Sequence, residues 1–588
     1  MKTKKAMKKI THIGMAALVA MGMLGTSCNK AESPEMETPE TQKENIVTLT
    51  TTVGFAADDT KALTSTGVKT FAVGETMVLR YKNTKDDWVK AVSNALEPGD
   101  IADGSKSATF TFILTNPNKS GNVDYIYPAA IVNELGNMDE AALFGSQDGT
   151  LNKIASTFDY SRKMGAWDGE NLPSLTLENQ LAILAITLKD EAGTSEITGS
   201  ITGLTLSDGT KTYNVNRSAV AGPIYVAIYP TEDATITVTA TDGMKNYTKT
   251  LTGKTYAKGN GYPVSWKMTQ VATDLSTLTA DYTAQDGDIL TGTLGSNVKI
   301  SIADGATVTL KDVNITNLGN NCDWAGINCP GDATLVLEGT NEVCAGRDGS
   351  GYNNYPGIYI APGKTLTIQG DGTLTAYSNS SPWGAGIGGG YYISCGNIVI
   401  NSGNITATGG PQSAGIGGGY NGSCGNITIN GGTVEATGGQ SGAGIGGSNA
   451  SCGNITINGG TITATGGQYS AGIGGGFASC GNITISGGNI TATGGQYGAG
   501  IGGGNNRTCG DITISGGTTT ATGGDLAAGI GGGSNNPGCG TITIKSTVTS
   551  VTATKGNDPN NYVQSIGCGD HGYEITVTIE AGANVTQN

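Results

Sequence analysis

Six of the eleven cysteines recur at one position of a repeated block: Cys395, Cys424, Cys452, Cys480, Cys509 and Cys539. Each is followed by Gly, and four then by Asn (Asn397, Asn426, Asn454, Asn482). Thiols at a fixed spacing could bind metal, pair as disulfides, or pack as small apolar side chains. Zinc wants a closed tetrahedral set of ligands, and a line of thiols is not one. Disulfides are closer to reach, because stacked strands bring equivalent Cα atoms about 4.8 Å apart. Side-by-side Cβ vectors suit the bond poorly, however. The preferred reading is a structural ladder of buried thiols, with some disulfides as the second choice. The Asn row reads as a hydrogen-bond ladder at a corner.

A second set of residues breaks the repeat. Tyr391, Tyr392, Tyr420 and Phe477 follow its Gly-rich segment, Tyr469 and Tyr497 precede the next one, and Arg507 stands among asparagines. Aromatic rings beside Asn, Gln and Thr suit stacking on sugar rings with hydrogen bonds around them. The plainer alternative is ordinary loop residues. Thr428, Thr456, Thr484 and Thr513 form one expected outward row, and Thr408, Thr437, Thr465, Thr493 and Thr522 another.

Catalysis finds little material. From Ala385 to Lys545 the only charged residues are Glu435, Arg507, Asp511, Asp525 and Lys545, isolated from one another. The one histidine after the leader is His571, so a Ser-His or Cys-His pair is unavailable. A glycosidase needs a pair of carboxylates, and the regular blocks offer only isolated ones. The Gly-rich run is not followed by Lys-Ser/Thr, which excludes a P-loop. Earlier acids (Asp304, Asp312, Asp323, Asp332, Asp348) leave room for calcium, although solvated turns explain them as well. No catalytic residue, resident metal or cofactor is expected.

The elements that carry these residues follow from the period. A-G-I-G-G returns at Ala385, Ala414, Ala443, Ala471, Ala499 and Ala528, about every 29 residues and followed by a third Gly in all but the copy at Ala443, which marks a solenoid. Apolar pairs alternate in three short runs per block, as in Ala414 and Ile416, Ile427 and Ile429, Val434 and Ala436. Such runs separated by Gly corners predict a right-handed parallel β-helix of about nine or ten coils over 275–588. One coil cannot bury enough surface to fold alone, so stability must come from stacking.

The rest of the chain is also all-β in pattern. Ile46–Phe55, Leu181–Leu188, Ile224–Ile228 and Thr235–Ala240 read as strands between turn residues, predicting one or two β-sandwiches over 46–270. Residues 1–27 carry five lysines and an apolar run from Ile13 to Leu24, too short to span a bilayer, and form an export signal. Removing those lysines takes the chain from a net charge of −15 to −20, which disfavours nucleic acid and anionic membranes as partners. Residues 28–45 hold five Glu and two Pro and form a flexible acidic tether.

Three resemblances add to this. Leu24-Gly25-Thr26-Ser27-Cys28 resembles a bacterial lipobox, which implies lipidation at Cys28 and an outer-membrane anchor. The ordered motifs T-K-A-x-x-S-T from Thr60, F-A-V-G-E-T-M-V-L from Phe71, Y-P-A from Tyr127, L-E-N-Q-L-A-I-L-A-I-T-L from Leu177, Y-V-A-I-Y-P from Tyr225, T-V-T-A-T-D-G from Thr237 and K-G-N-G-Y-P-V from Lys258 resemble the fimbrillin-like (Mfa-like) lipoproteins of Bacteroidetes. That family implies transthyretin-like sandwiches, fimbrial subunits as partners and a role in adhesion. The chain departs from it in having no Arg before Arg80 and a long C-terminal extension. Both favour a tip, accessory or non-polymerising surface protein. The start of the extension, Asp274 to Thr375, also resembles β-helices of a carbohydrate-binding family. The expected function is a lipid-anchored, surface-exposed, non-enzymatic adhesin for glycans or a host surface. A β-helix polysaccharide lyase or hydrolase, a structural spacer and an ice-binding threonine face stand as alternatives.

Overall fold

The computed structural model describes residues 44–55, 70–102, 104, 106–158, 160–295, 297–316, 318, 322–346, 355–378, 383–535, 538–558 and 562–588. The export signal, Cys28, most of the tether, the motif from Thr60 and Asp348 lie outside the described residues.

The N-terminal part is built on alternation. Ile46–Phe55 and Ser107–Thr115 pair antiparallel, from Ile46 opposite Thr115 to Gly54 opposite Ser107. Every second residue of the latter (Ala108, Phe110, Phe112, Leu114) is buried, as the two-residue period of a strand requires. These strands belong to one eight-stranded sheet that also contains Val78–Lys82, Gly121–Tyr127 and Ser161–Trp167. It is mixed, since Ile46–Phe55 pairs parallel with Leu175–Asn179 on its other side. The sheet curls until its two ends meet, where Asn94 N–H donates to the Thr111 carbonyl at 2.9 Å. It encloses an aromatic core of Phe55, Phe71, Phe110, Phe112, Tyr125 and Tyr127. The first layer is thus one curled sheet rather than two stacked ones. Alternation identifies a strand's buried face but not which sheet it joins.

A five-stranded sheet containing Gly203–Ser207 and Thr231–Thr241 packs against a three-stranded sheet centred on Ala182–Lys189. Leu184, Ile186, Val226, Leu204 and Val238 share this second core. Gly121–Tyr127 serves both cores. Tyr125 and Tyr127 enter the aromatic one, and Ile126 enters the second beside Val78.

Sheet membership changes between Thr269–Gln270, which pairs with Asn246–Tyr256, and Thr273–Asp274, which pairs with Ile289–Thr293. From there every pairing between strands among the described residues is parallel. Ala306–Ile315 bends around a corner. Its first half pairs with Ala333–Glu338 and its second with Thr340–Cys344, which divides one ladder into two. Nine three-strand turns follow among the described residues, from Ile327–Cys329 to Val585–Gln587. The chain is therefore an all-β protein that ends in a parallel β-solenoid. The isoleucines stack in register, Ile416 on Ile445 on Ile473 on Ile501 on Ile530 on Ile566. Each of the three predicted apolar runs is buried. The run after A-G is shorter than the other two, with two-residue Ile-Gly strands such as Ile416–Gly417. No helix among the described residues is long and apolar enough to cross a membrane.

Candidate binding surface

The short Ile-Gly strand explains where the surface aromatics stand. Gly417 and Gly446 have φ of +128° and +134°. A Cβ on Gly417 would collide with the Gly446 carbonyl, so only glycine turns the chain here. Each coil then runs through a loop before its cysteine, and those loops lie one above another. A repeated bond holds them. The residue two before one anchor alanine accepts through its carbonyl from a loop N–H of the next coil. Tyr420 donates to Trp383 at 3.1 Å, Asn505 to Tyr469 at 2.8 Å and Ser534 to Tyr497 at 2.9 Å.

All seven predicted ligand-binding residues come together on this edge, in two clusters. In the first, Tyr391 and Tyr420 stack with centroids 5.7 Å apart, and Tyr392 meets Tyr391 edge-on at 4.6 Å. Trp383 joins them, 5.1 Å from Tyr391 and 4.5 Å from Tyr420. In the second, Tyr469 and Tyr497 stack nearly parallel at 5.4 Å, and Phe477 meets Tyr469 edge-on at 5.7 Å. Arg507 lies over Phe477 with its guanidinium carbon 5.8 Å from the centroid, and its Nε donates to the Phe477 carbonyl at 2.8 Å. One coil without rings, carrying Ser448 and Asn449, separates the clusters. Beside them Gln412, Gln440, Gln468 and Gln496 form an exposed amide chain, each Nε2 donating to the next Oε1 at 2.9–3.1 Å.

Sequence reasoning missed Trp383. It stands two residues before Ala385, as Tyr469 and Tyr497 stand two before Ala471 and Ala499, and that spacing was the available signal. It also missed the backbone of Tyr392. The equivalent loop position is left-handed in each of several coils, at Tyr392 (φ 53°), Asn421, Asn506 and Asn535. Asparagine tolerates this conformation, whereas a tyrosine there is uncommon and strained. Tyr392 is nonetheless 65% exposed.

The thiol column is as expected in place and different in bonding. Cys395, Cys424, Cys452 and Cys480 are buried thiols, while Cys509 and Cys539 form a disulfide with Cα atoms 4.5 Å apart. The Asn row is a ladder. Asn397 Oδ1 accepts from the Asn426 N–H, Asn426 from Asn454, and Asn454 from Asn482, each at 2.9 Å.

Three of the early acids each spend one oxygen on the backbone. Asp304 accepts from the Asp332 N–H at 2.7 Å, Asp332 from Thr365 at 2.7 Å, and Asp312 from Thr340 at 2.9 Å. The Asp332 N–H, with Lys364 Nζ 3.3 Å away, holds the Asp304 carboxyl below the usual carboxylate range. No cluster of three or more metal-ligating side chains exists among the described residues. His571 faces Asp570 at 2.8 Å with no nucleophile in the pair.

The N-terminal half holds a polar cleft of about 830 Å³ lined by Asp139, Glu140, Tyr160, Arg162, Tyr229 and Lys258. Its charges are occupied. Arg162 clasps the buried Asp124 through Nε and Nη2 at 2.9 and 2.5 Å, and Tyr229 donates to Glu140 at 3.0 Å. Those pairs join strands and helix ends, and we assign the cleft no chemistry.

The comparisons with known proteins fit the fold in one half. The family described as Beta helix repeat matches residues 366–391, 398–420, 427–449, 455–477, 483–505 and 512–534. No curated protein matches the chain. A candidate cell adhesion protein from Bacteroides fragilis is similar at 12% identity, over 37% of this chain and 92% of its own, with a TM-score of 0.24. A fimbrial assembly protein from Parabacteroides distasonis is similar at 12% identity, over 38% and 91%, with a TM-score of 0.22. Likeness at these scores assigns neither fold nor role to this chain.

Proposed function

We propose that this protein is a non-enzymatic adhesin, lipid-anchored through Cys28 at the outer membrane. Its solenoid presents the Trp383 and Tyr469 clusters to a glycan or a glycosylated host surface. The observation that carries the reading is the gathering of half-buried rings around the exposed Tyr391, Tyr392 and Phe477 on one edge of an otherwise aromatic-poor, nearly uncharged stack. Rings flanked by amide and hydroxyl groups offer a sugar both an apolar face and hydrogen bonds. The left-handed backbone of Tyr392 supports it, since strained conformations cluster at binding sites. The ordered fimbrillin-like motifs before the solenoid support a tip or accessory place in a fimbria, or a non-polymerising surface protein. Domain limits of 28–45 for a tether, 46–270 for the sandwich region and 275–588 for the solenoid belong to the same proposal.

The test is a glycan and host-matrix array probed with the mature protein. Binding is expected. The double variant Trp383→Ala, Tyr420→Ala should bind about tenfold more weakly, ~1.4 kcal/mol. Absence of binding to every glycan and matrix protein would sink the adhesin reading in favour of a spacer. Release of reducing or unsaturated sugars from any polysaccharide would overturn the non-enzymatic one.

A further inference from the structure

The thiol column contains an even number of cysteines, and one end of it is already closed. Cys395, Cys424, Cys452, Cys480, Cys509 and Cys539 occupy one rung position on successive coils, with direct backbone bridges between Cys424 and Cys452 and between Cys452 and Cys480. The four thiols share one environment. Each points its sulfur at the carbonyl of an equivalent glycine: Cys395 at Gly417, Cys424 at Gly446, Cys452 at Gly474 and Cys480 at Gly502. The Cys509–Cys539 bond spans one rung with Cα atoms 4.5 Å apart, within the range a disulfide accepts. The parallel geometry of this column therefore admits the bond.

We propose that the column is a modification site that closes as three axial disulfides: Cys395–Cys424, Cys452–Cys480 and Cys509–Cys539. The phase follows from the closed end. With Cys509 taken by Cys539, Cys480 has only Cys452 beside it, which leaves Cys424 to Cys395. The other phase, Cys424 with Cys452, strands Cys395 and Cys480 in the core. Each new bond removes two protons and two electrons from a thiol pair. They pass by thiol–disulfide exchange to a disulfide oxidant, a protein thiol oxidase or glutathione disulfide, which is reduced to two thiols. The thiols are buried once the stack is complete, so the bonds form as coils dock. Afterwards they are shielded from reductant by the same packing. Two interfaces, Cys424 to Cys452 and Cys480 to Cys509, stay uncrossed, so the column staples coils in pairs.

Chymotrypsin gives a direct test. Cleavage after Tyr392, Tyr420, Tyr469, Phe477 and Tyr497 places Cys395 on peptide 393–420, Cys424 with Cys452 on 421–469, and Cys480 on 478–497. Protein refolded in a glutathione redox buffer would be denatured, alkylated without reduction, digested and weighed. The expected product is one species joining all three peptides, resolved into its parts by reductant. Peptide 421–469 closed on itself, or alkyl groups on these four cysteines, would overturn the proposal.

Discussion

The curled sheet and the solenoid solve the same problem with opposite materials. The curled sheet spends large, unlike side chains, with Phe110 edge-on to Phe71 at 5.4 Å and Phe71 stacked on Phe55 at 4.2 Å. Each of those rings has one set of neighbours, brought together from distant parts of the chain. The regular coils spend small, identical ones, isoleucine on isoleucine and alanine on alanine, with neighbours one period away. The first arrangement couples every part of a core to every other. In the second, stability is a sum of interfaces, and a defect stays near its own coil. Polar groups differ in the same way. Asp124 is buried and matched to two particular arginines, whereas the Asn and Gln ladders repeat one bond from coil to coil.

The sharpest way to break this contrast is a cavity in each region. Phe112→Ala should cost about 3–5 kcal/mol and shift the denaturant midpoint of the whole N-terminal transition. A midpoint change confined to the Phe112 strand by hydrogen exchange would remove the distinction. Alkali comes next. Burial pushes Tyr213 and Tyr247 up to about 12. An unfolded chain ionises these phenols near pH 10 and so binds fewer protons than the folded one above it. Their contribution is complete below pH 10 and is lost as the pH rises to about 12. The N-terminal circular dichroism signal should fade across that window, while the regular coils, with their column cysteines closed as disulfides, should keep theirs. Loss of both signals together would show the regions to be one cooperative unit. The smallest effect belongs to Ile473→Val, about 0.5–1.5 kcal/mol. Faster amide exchange should appear in its own coil and beside Ile445 and Ile501, and exchange quickened along the full stack would contradict additive interfaces.

How far each region could be read ahead follows from the same difference. Periodic side chains announce their contacts, so the stacked isoleucines, the thiol column and the Asn ladder were legible residue by residue. Ile46–Phe55 and Ile224–Ile228 were also legible as strands, because their alternation is local. Their partners were not. Nothing in the alternation of Ile46–Phe55 tells that Leu175–Asn179 runs parallel beside it, or that Arg162 is placed to meet Asp124 across 38 residues. In the candidate site the exceptions to the repeat pointed to one corner, but their grouping into two clusters depended on how the loops stack. Whether Cys480 or Cys539 stands opposite Cys509 as its bonding partner is a choice between two equal neighbours, which spacing alone leaves open.

The corner that turns on glycine has one more consequence. Successive coils differ in length, 29 residues from Asn401 to Asn430 and 28 from Asn430 to Asn458, yet their strands keep register. The step from Ile530 to Ile566 is longer still, and Ile542 nonetheless pairs with Val577. In these regular coils length is absorbed at the bends and does not reach the strands. A gene encoding such a stack can therefore lengthen one bend at a time, trying new surface loops while the scaffold beneath them stays unaltered.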